Sequence, residues 1–249
     1  MGLNNAMSYP LFCGFHDNSI FKSIESDSID FSNLKTQQLF SYRSLLAELY
    51  KKRVSIEGTK RILKANTLSL SMETRSELSE FVKGLELGEQ DLLSFNVFLN
   101  EDIKNESIKN YNFITHKYDL LKVCASAIFS PLDLKNNSYK DLLNQESPLN
   151  SLFINIIPHK DSLYIILGFK RDCDDKWINN YLKSWNNLKK NELELKISDL
   201  IMTKIETWAI SPSIFNKIPK EIMCKMKEYW DYNYTNLDNS QKFTTNIFI

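Results

Sequence analysis

The sequence lacks an excess of charge of either sign, and it contains few cysteines, glycines and prolines. Its 249 residues include 31 Lys and Arg against 31 Asp and Glu, so the formal net charge is zero. Proteins that bind nucleic acid broadly usually carry a basic excess, and this balance argues against that class. The 43% of hydrophobic and 12% of aromatic residues exclude a disordered chain, and the 6 Gly and 6 Pro exclude a repetitive fibrous protein.

The cysteines, glycines and apolar runs match no common motif for metal or redox chemistry, phosphate binding or membrane insertion. Cys13, Cys124, Cys173 and Cys224 include no Cys-x-x-Cys pair, which is typical of reduced thiols in a cytosolic protein. The glycines form no phosphate-binding loop, and no nucleophile elbow, zincin or kinase motif is present. No apolar run approaches the length of about 20 residues that a membrane span needs, and residues 1–15 lack the features of a signal peptide. We therefore predict a cytoplasmic protein that is not associated with a membrane, and its abundant Asn, Lys and Ile favour a bacterial source.

Hydrophobic periodicity predicts one α+β domain over residues 1–249. Apolar residues first recur at the three- and four-residue steps of helices, then alternate or run together as in strands, and then return to helical spacing. Helices and strands that are segregated in this way favour an α+β fold over a βαβ series. The predicted parts are an irregular segment, N-terminal helices, an antiparallel sheet and C-terminal helices, over residues 1–31, 32–105, 108–170 and 173–232.

The helix boundaries are predicted from capping residues and glycines. Ser32 or Asn33 offers an N-cap for the first long helix, and a second helix over about 70–84 is expected to stop near Gly84. The polar tail after Tyr232 is expected to be ordered only if it docks. Further helices are predicted over about 89–103, 175–189, 192–207 and 219–231.

The sheet is predicted to contain about four strands in two β-hairpins. In the first hairpin, alternating apolar residues predict strands on both sides of residues 117–119. In the second, the apolar runs Leu152 to Ile157 and Leu163 to Phe169 flank a turn at residues 158–161. A polar excursion over residues 133–150 separates the two hairpins.

Cys13, His16 and Asp17 form the first candidate for chemistry. A thiolate and an imidazole three residues apart can reach one Zn²⁺, and Asp17 can orient the imidazole, so Cys13 and His16 are candidate metal ligands. The same trio could act as nucleophile, base and orienting group, which makes His16 and Asp17 candidate catalytic residues. A zinc site needs three or four protein ligands, and no second Cys/His pair stands nearby. The structural alternative is a buried cysteine beside a histidine that caps a turn.

A second candidate combines Asp172, Asp174 and Asp175 with Glu194 and Lys196. On adjacent strands, a carboxylate followed by Glu-x-Lys is the arrangement with which restriction endonucleases hold Mg²⁺. Here a predicted helix separates the two parts, and capping of that helix explains the aspartates more simply.

Basic residues on the first long helix form a candidate surface for nucleic acid or another anion. They can track a phosphate backbone while neighbouring tyrosines stack on bases. Glu48 and Glu57 interrupt the positive field, and a solvated helix face explains the same charges. The candidate contact residues are Arg43, Lys52, Arg53, Lys60 and Arg61.

Four segments of the sequence carry a family resemblance. Phe12 to Asp17 has the form F-C-x-x-H-D, and Ile20 to Glu25 follows it as I-F-K-S-I-E. Together with Leu39 to Leu45 and Leu152 to Phe169, these segments resemble a group of bacterial proteins that share the F-C-x-x-H-D segment. The resemblance implies a mobile-element setting and, by association, a role in defence against phage. It also implies that Cys13 and His16 are half of a zinc site whose other half is missing or is supplied by a partner.

The functional prediction starts from the lack of a complete catalytic set in the sequence. We expect a cytoplasmic bacterial interaction or sensor protein, in an antiphage defence system, that binds a protein partner or a second copy of itself. The alternative is a metal-dependent hydrolase, in particular a nuclease, that uses the Cys13, His16 and Asp17 segment with Zn²⁺ or Mg²⁺. A third hypothesis is a receptor for a small ligand, with its pocket between the sheet and the helices.

Overall fold

A computed structural model describes residues 11–65, 69–131, 150–172, 176–235 and 242–248. In these ranges the chain forms seven α-helices and a five-stranded antiparallel sheet, which confirms the predicted α+β class. The polar excursion predicted over 133–150 lies almost wholly outside the described residues. The helices are α1 Gly14–Phe21, α2 Leu34–Lys64, α3 Met72–Lys104, α4 Lys176–Lys183, α5 Lys190–Thr203, α6 Pro212–Phe215 and α7 Lys220–Thr235. The strands are β1 Tyr111–Asp119, β2 Val123–Phe129, β3 Leu152–His159, β4 Ser162–Lys170 and β5 Thr207–Ile210.

The strands lie in the order β1-β4-β3-β2-β5, and each is antiparallel to its neighbours. The predicted β3–β4 hairpin is confirmed, and its turn places Lys160 in the left-handed region at φ 53°. The predicted hairpin between β1 and β2 is wrong, because β1 pairs with the outer edge of β4. Both edges of β2 are occupied, by β3 and by β5. Alternation reports which face of a strand is buried, but it does not report which edge remains free for pairing.

The N-terminal helices are fewer and longer than predicted. Asn33 is the N-cap of α2, as predicted, and its side chain accepts hydrogen bonds from the backbone N–H groups of Lys35 and Thr36. The predicted stop near Gly84 is wrong, because α3 runs without a break through 33 residues. A glycine inside a helix costs about 1 kcal/mol, which the packing of this long helix against α2 outweighs.

The C-terminal part contains one strand that was not predicted. The helix expected over 192–207 ends at Thr203, and Thr207–Ile210 forms β5 on the edge of β2. Residues 242–248 of the tail dock on the C-terminal helices, with Phe243 and Ile247 buried against α5 and α7. The backbone N–H of Ile247 donates to Ser198 Oγ at 3.1 Å, which fixes this segment to α5.

Successive side chains of each strand point to opposite faces of the sheet, and a different set of helices packs on each face. One face, which we call the C-terminal face, carries an apolar cluster shared with α4, α5, α7 and the tail. The opposite face, which we call the N-terminal face, is covered by α2 and α3 through clusters around Leu45, Leu99 and Phe153. Among the described residues, no helix combines the length and the apolar character that a membrane span requires.

Candidate functional site

A cavity of about 420 Å³ lies on the N-terminal face, between α1, the first half of α2 and the strands β2, β3 and β5. This volume is within the range of about 300–1,000 Å³ that is usual for small-molecule sites. From α2, the side chains of Phe40, Arg43, Ser44 and Ala47 line the cavity. They stand at positions i, i+3, i+4 and i+7, so one stripe of the helix forms one wall.

A row of polar side chains forms the floor of the cavity. Asn155 of β3 stands opposite Ser126 of β2, and Ser126 stands opposite Thr207 of β5. Residues that are in register on neighbouring strands point to the same face of a sheet, and all three line the cavity. The row continues beyond the cavity, where Ile166 of β4 faces both Asn155 and Thr115 of β1. We call Thr115, Ile166, Asn155, Ser126 and Thr207 the cross-strand row.

Two polar atoms of this row are buried without a partner among the described residues. Asn155 is 3% exposed, and its Oδ1 accepts a hydrogen bond from Ser44 Oγ at 2.6 Å, but its Nδ2 has no acceptor. Thr207 is 7% exposed, and its Oγ1 is also unpaired. An unsatisfied buried polar group costs about 1–3 kcal/mol. Such atoms at the floor of a cavity are groups that a bound molecule can satisfy.

The far end of the cross-strand row is fully bonded. Thr115 Oγ1 accepts a hydrogen bond from Gln37 Nε2 at 3.0 Å and donates to the backbone oxygen of Phe31 at 3.2 Å. Two threonines of one row therefore differ in hydrogen bonding, and the unpaired one, Thr207, is the one that lines the cavity.

The outer wall of the cavity comes from the N-terminal segment and α1. Phe12 and Phe21 pack edge to face with ring centroids 5.5 Å apart, and both contact Tyr42 of α2. The Arg43 guanidinium lies 4.5 Å from the centre of the Phe21 ring and forms an ion pair with Glu25. Aromatic and ionic contacts thus hold the wall against α2.

Asp17 and Cys124 bring further chemistry to the cavity. The Asp17 carboxylate lies 3.6 Å from Arg43 Nη2 and lines the cavity. Desolvation raises the pKa of the Cys124 thiol, so this group is protonated at neutral pH and is a weak nucleophile. The part of the lining that the structure describes includes no histidine and no lysine. Its residues can bind and orient a molecule, but they do not form a nucleophile–base pair.

The predicted Cys13–His16 pair is brought together at the start of α1. Cys13 Sγ lies 3.0 Å from His16 Nδ1, and both side chains are exposed. Asp17 contacts Arg43, and no hydrogen bond joins its carboxylate to the His16 ring. Within the described ranges, no group of three or more His, Cys, Asp or Glu residues could hold a metal ion. The pair therefore supplies two ligands and lacks a third.

The candidate surface for nucleic acid or another anion faces acidic residues of α3 and α2. Arg53 Nε lies 2.6 Å from Glu89, Lys60 Nζ lies 2.6 Å from Glu86, and Arg61 Nε lies 2.8 Å from Glu57. The positive charge of Lys52 acts on Asp91 of α3, and Arg43 is paired as described above. Phosphates would have to compete with these carboxylates, so the geometry favours the interpretation as a solvated helix face.

The candidate Mg²⁺ arrangement around Glu194 and Lys196 is not formed, in agreement with the helix that the sequence predicts between its two parts. Both residues lie on α5, and residues i and i+2 of a helix point in different directions, whereas on a strand they share a face. Glu194 is buried and accepts a hydrogen bond from Asn246 of the tail. Lys196 Nζ lies over the rings of Tyr181 and Trp185, and burial lowers its pKa to about 8. Asp174 and Asp175 lie outside the described residues.

Asn155, Ser126 and Thr207 of the cavity floor are absent from the candidate residues that the sequence predicts. Asn155 lies within the apolar run Leu152 to Ile157, and an asparagine in a buried strand must find hydrogen-bond partners. A polar residue in the middle of such a run was the available signal. Comparison of the chain with protein-family models, with curated proteins and with solved structures finds no match.

Proposed function

We propose that this protein is a sensor module that binds a small molecule in the cavity on the N-terminal face and does not convert it chemically. The observation that carries the proposal is the pair of buried, unpaired polar atoms on the cavity floor, Asn155 Nδ2 and Thr207 Oγ1. Apolar walls combined with a few polar groups at fixed positions are the usual composition of a ligand site. This proposal joins two hypotheses from the sequence, a sensor protein and a small-ligand receptor.

The position of the cavity supports a sensing role. Its outer wall is a short helical segment, and its inner wall is a sheet whose other face holds the C-terminal helices. A ligand that bridges α1 and the sheet binds the folded state and stabilises the contact between the two walls. A change in the order of α1 is then the signal available to a partner. Cytoplasmic location, bacterial origin, a protein partner and a role in antiphage defence remain predictions from the sequence.

The direct test is a thermal-shift screen of a metabolite library, followed by calorimetry on each hit. We expect at least one hit for the wild type, and we expect Asn155→Leu to lose it. A ligand at one hundred times its Kd adds about 2.7 kcal/mol to the free energy of unfolding, which a thermal shift detects. Asn155→Leu removes an unpaired polar group, and Ser44 Oγ still has the Phe40 oxygen at 3.0 Å, so the variant should fold.

Thr115→Val is the matched control for Asn155→Leu. Thr115 belongs to the same cross-strand row but lies outside the cavity, so its variant should keep every hit. Hits that persist in Asn155→Leu, or a screen without any calorimetrically confirmed hit, would contradict the proposal.

A chemical footprint provides a second test of the same site. Cys124 and Cys224 are both exposed, but Cys124 lines the cavity and Cys224 lies on α7, outside the cavity lining. A bound ligand should slow the alkylation of Cys124 by iodoacetamide and leave the rate at Cys224 unchanged, as measured by peptide mass spectrometry. Equal protection of both thiols, or of neither, counts against binding in the cavity.

The 3.0 Å contact between Cys13 Sγ and His16 Nδ1 favours a second candidate function, the metal-dependent hydrolase. In this hypothesis a partner would supply the missing ligands for Zn²⁺ or Mg²⁺. Incubation with Zn²⁺, Mg²⁺ or Mn²⁺ and assorted nucleic acids tests it. Turnover that His16→Ala abolishes would support it, and the absence of turnover with every metal would count against it.

A further inference from the structure

We infer that the molecule bound in this cavity is a small organic cation, an amphipathic amine whose ammonium group pairs with the Asp17 carboxylate. The inference rests on the proposed binding function and adds the chemical class of the ligand. It follows from three features of the lining: the balance of charge, the aromatic walls and the free hydrogen-bond donor on the floor.

The charge balance of the cavity favours a cation. Among the described residues, Asp17 and Arg43 are the charged residues of the lining, and Arg43 contacts Glu25 and the face of the Phe21 ring. Asp17 approaches Arg43 only at 3.6 Å and accepts no hydrogen bond from any residue of the described chain. Glu25 does not line the cavity, but it balances the charge of Arg43, so the cluster of Asp17, Glu25 and Arg43 has a net formal charge of −1. A monocation compensates that charge, whereas an anion is repelled by it.

The available hydrogen-bonding groups agree with this assignment. Glu25 contacts Nη2 of Arg43, and the guanidinium also lies over the Phe21 ring, so an incoming carboxylate or phosphate must compete with Glu25 for this group. The Asp17 carboxylate is an acceptor only, and it is the group left to bind an N–H donor of a ligand. An ammonium group supplies both the donor and the positive charge.

The rest of the lining defines the remainder of the ligand. Phe12, Phe40 and Ala47 present apolar and aromatic surface to the cavity, which suits a hydrocarbon or aromatic body and also attracts a cation to the ring faces. On the floor, the unpaired Asn155 Nδ2 requires an acceptor oxygen. The expected ligand therefore combines an amine, an apolar body and a hydroxyl or carbonyl oxygen.

Four probes of nearly equal size test the charge of the ligand. Tyramine is a cation, tyrosine a zwitterion, 3-(4-hydroxyphenyl)propanamide is neutral and 3-(4-hydroxyphenyl)propanoate is an anion, and all four carry the same phenol. Isothermal calorimetry or ligand-observed NMR on the full chain measures each Kd. We expect tyramine to bind best and the propanoate worst, with Kd values at least about tenfold apart, as expected for one charge-assisted hydrogen bond in a partly exposed site.

Asp17→Asn should remove this preference. The Asp17 side chain is 43% exposed and its one ion pair is long, so the variant should fold, and the Kd of tyramine should rise about tenfold while that of the neutral amide stays constant. Asp27→Asn makes the same charge change on an exposed residue outside the cavity lining and should leave every Kd unchanged.

The outcomes separate this inference from the proposed function. Binding that depends on Asn155 but favours the anion or the neutral amide, or a tyramine Kd that Asp17→Asn does not change, overturns the cationic assignment and leaves the binding function intact. Failure of all four probes overturns the assignment, whereas hits in the library screen that depend on Asn155 still support the binding function.

Discussion

The two faces of the sheet are packed in different ways, although they share the same strands. The C-terminal face is filled by one continuous apolar cluster, which includes Ile154, Ile165 and Trp185 at no measurable exposure and is closed by the docked tail. The N-terminal face carries two smaller clusters, a cavity of about 420 Å³ and a polar row across its strands.

Under the proposed function, the C-terminal face stabilises the fold and the N-terminal face binds the ligand. A close-packed apolar layer stabilises the folded state, and a void reduces that contribution. Buried polar atoms without a partner in the described chain occur on both faces, at Tyr181 and Trp185 as well as at Asn155 and Thr207, so the cavity is what distinguishes the N-terminal face. A chain can retain such a void where a ligand fills it, because binding sites are among the places where proteins depart from optimal packing. The comparison predicts that similar substitutions change the free energy of unfolding by different amounts on the two faces.

The largest expected difference concerns two isoleucines of the same strand. Ile154→Ala opens a hole in the close-packed C-terminal cluster and should lower the free energy of unfolding by about 2–5 kcal/mol. Ile157 is only half-buried where it lines the cavity, so Ile157→Ala removes less buried surface and should cost about 1 kcal/mol. Urea unfolding followed by circular dichroism measures both values. Equal losses would mean that the two faces are packed alike.

The sequence predicted the C-terminal face well because packing there follows the pattern of apolar residues. The runs Leu152 to Ile157 and Leu163 to Phe169 marked the central hairpin, and the tail was expected to be ordered if it docked. The pairing of β1 and the existence of β5 could not be read from the pattern. Both depend on which sheet edges remain open after the hairpin forms, and that is a property of the whole fold.

The candidate site was less predictable for a different reason. Cys13, His16 and Asp17 are candidate metal ligands and catalytic residues because their types and spacing fit known chemistry, and Cys13 and His16 are in contact. The cavity instead depends on Asn155, Ser126 and Thr207, which come from three strands and share no spacing along the chain. Register across strands brings them together, and a single sequence does not show register between strands that are distant along the chain.

The second prediction concerns the charge of Lys196, which borders the C-terminal face. Its ammonium group lies 4.6 Å from the Trp185 ring and 5.1 Å from the Tyr181 ring, and burial, aided by Lys242, lowers its pKa from 10.5 to about 8. Between pH 8 and 10.5 the unfolded chain binds a proton that the folded chain has released. The free energy of unfolding should therefore rise with pH over this window, by up to about 3 kcal/mol.

Lys196→Met is the control for this pH dependence. Methionine keeps the packing against the two rings and does not titrate, so the difference between wild type and variant isolates Lys196. Urea unfolding at intervals from pH 7 to pH 10.5 provides the comparison. A difference that stays constant over this range would show that Lys196 ionises alike in the folded and unfolded chains.

The smallest expected effects are the most informative, because they have opposite signs within one row of the sheet. Thr115→Val removes a hydroxyl that is bonded to Gln37 and to the Phe31 oxygen, so it should lower the free energy of unfolding by about 1 kcal/mol. Thr207→Val removes a buried hydroxyl that has no partner in the described chain, so it should raise the free energy by about 1 kcal/mol. Both changes replace threonine by a residue of the same shape and good strand propensity, so differences in packing and backbone preference largely cancel.

If both variants lose stability equally, Thr207 contributes to the folded state in the same way as Thr115, and the unpaired floor no longer supports a ligand site. If the signs differ and Thr207→Val also weakens ligand binding, the unpaired Thr207 hydroxyl destabilises the free protein and strengthens ligand binding.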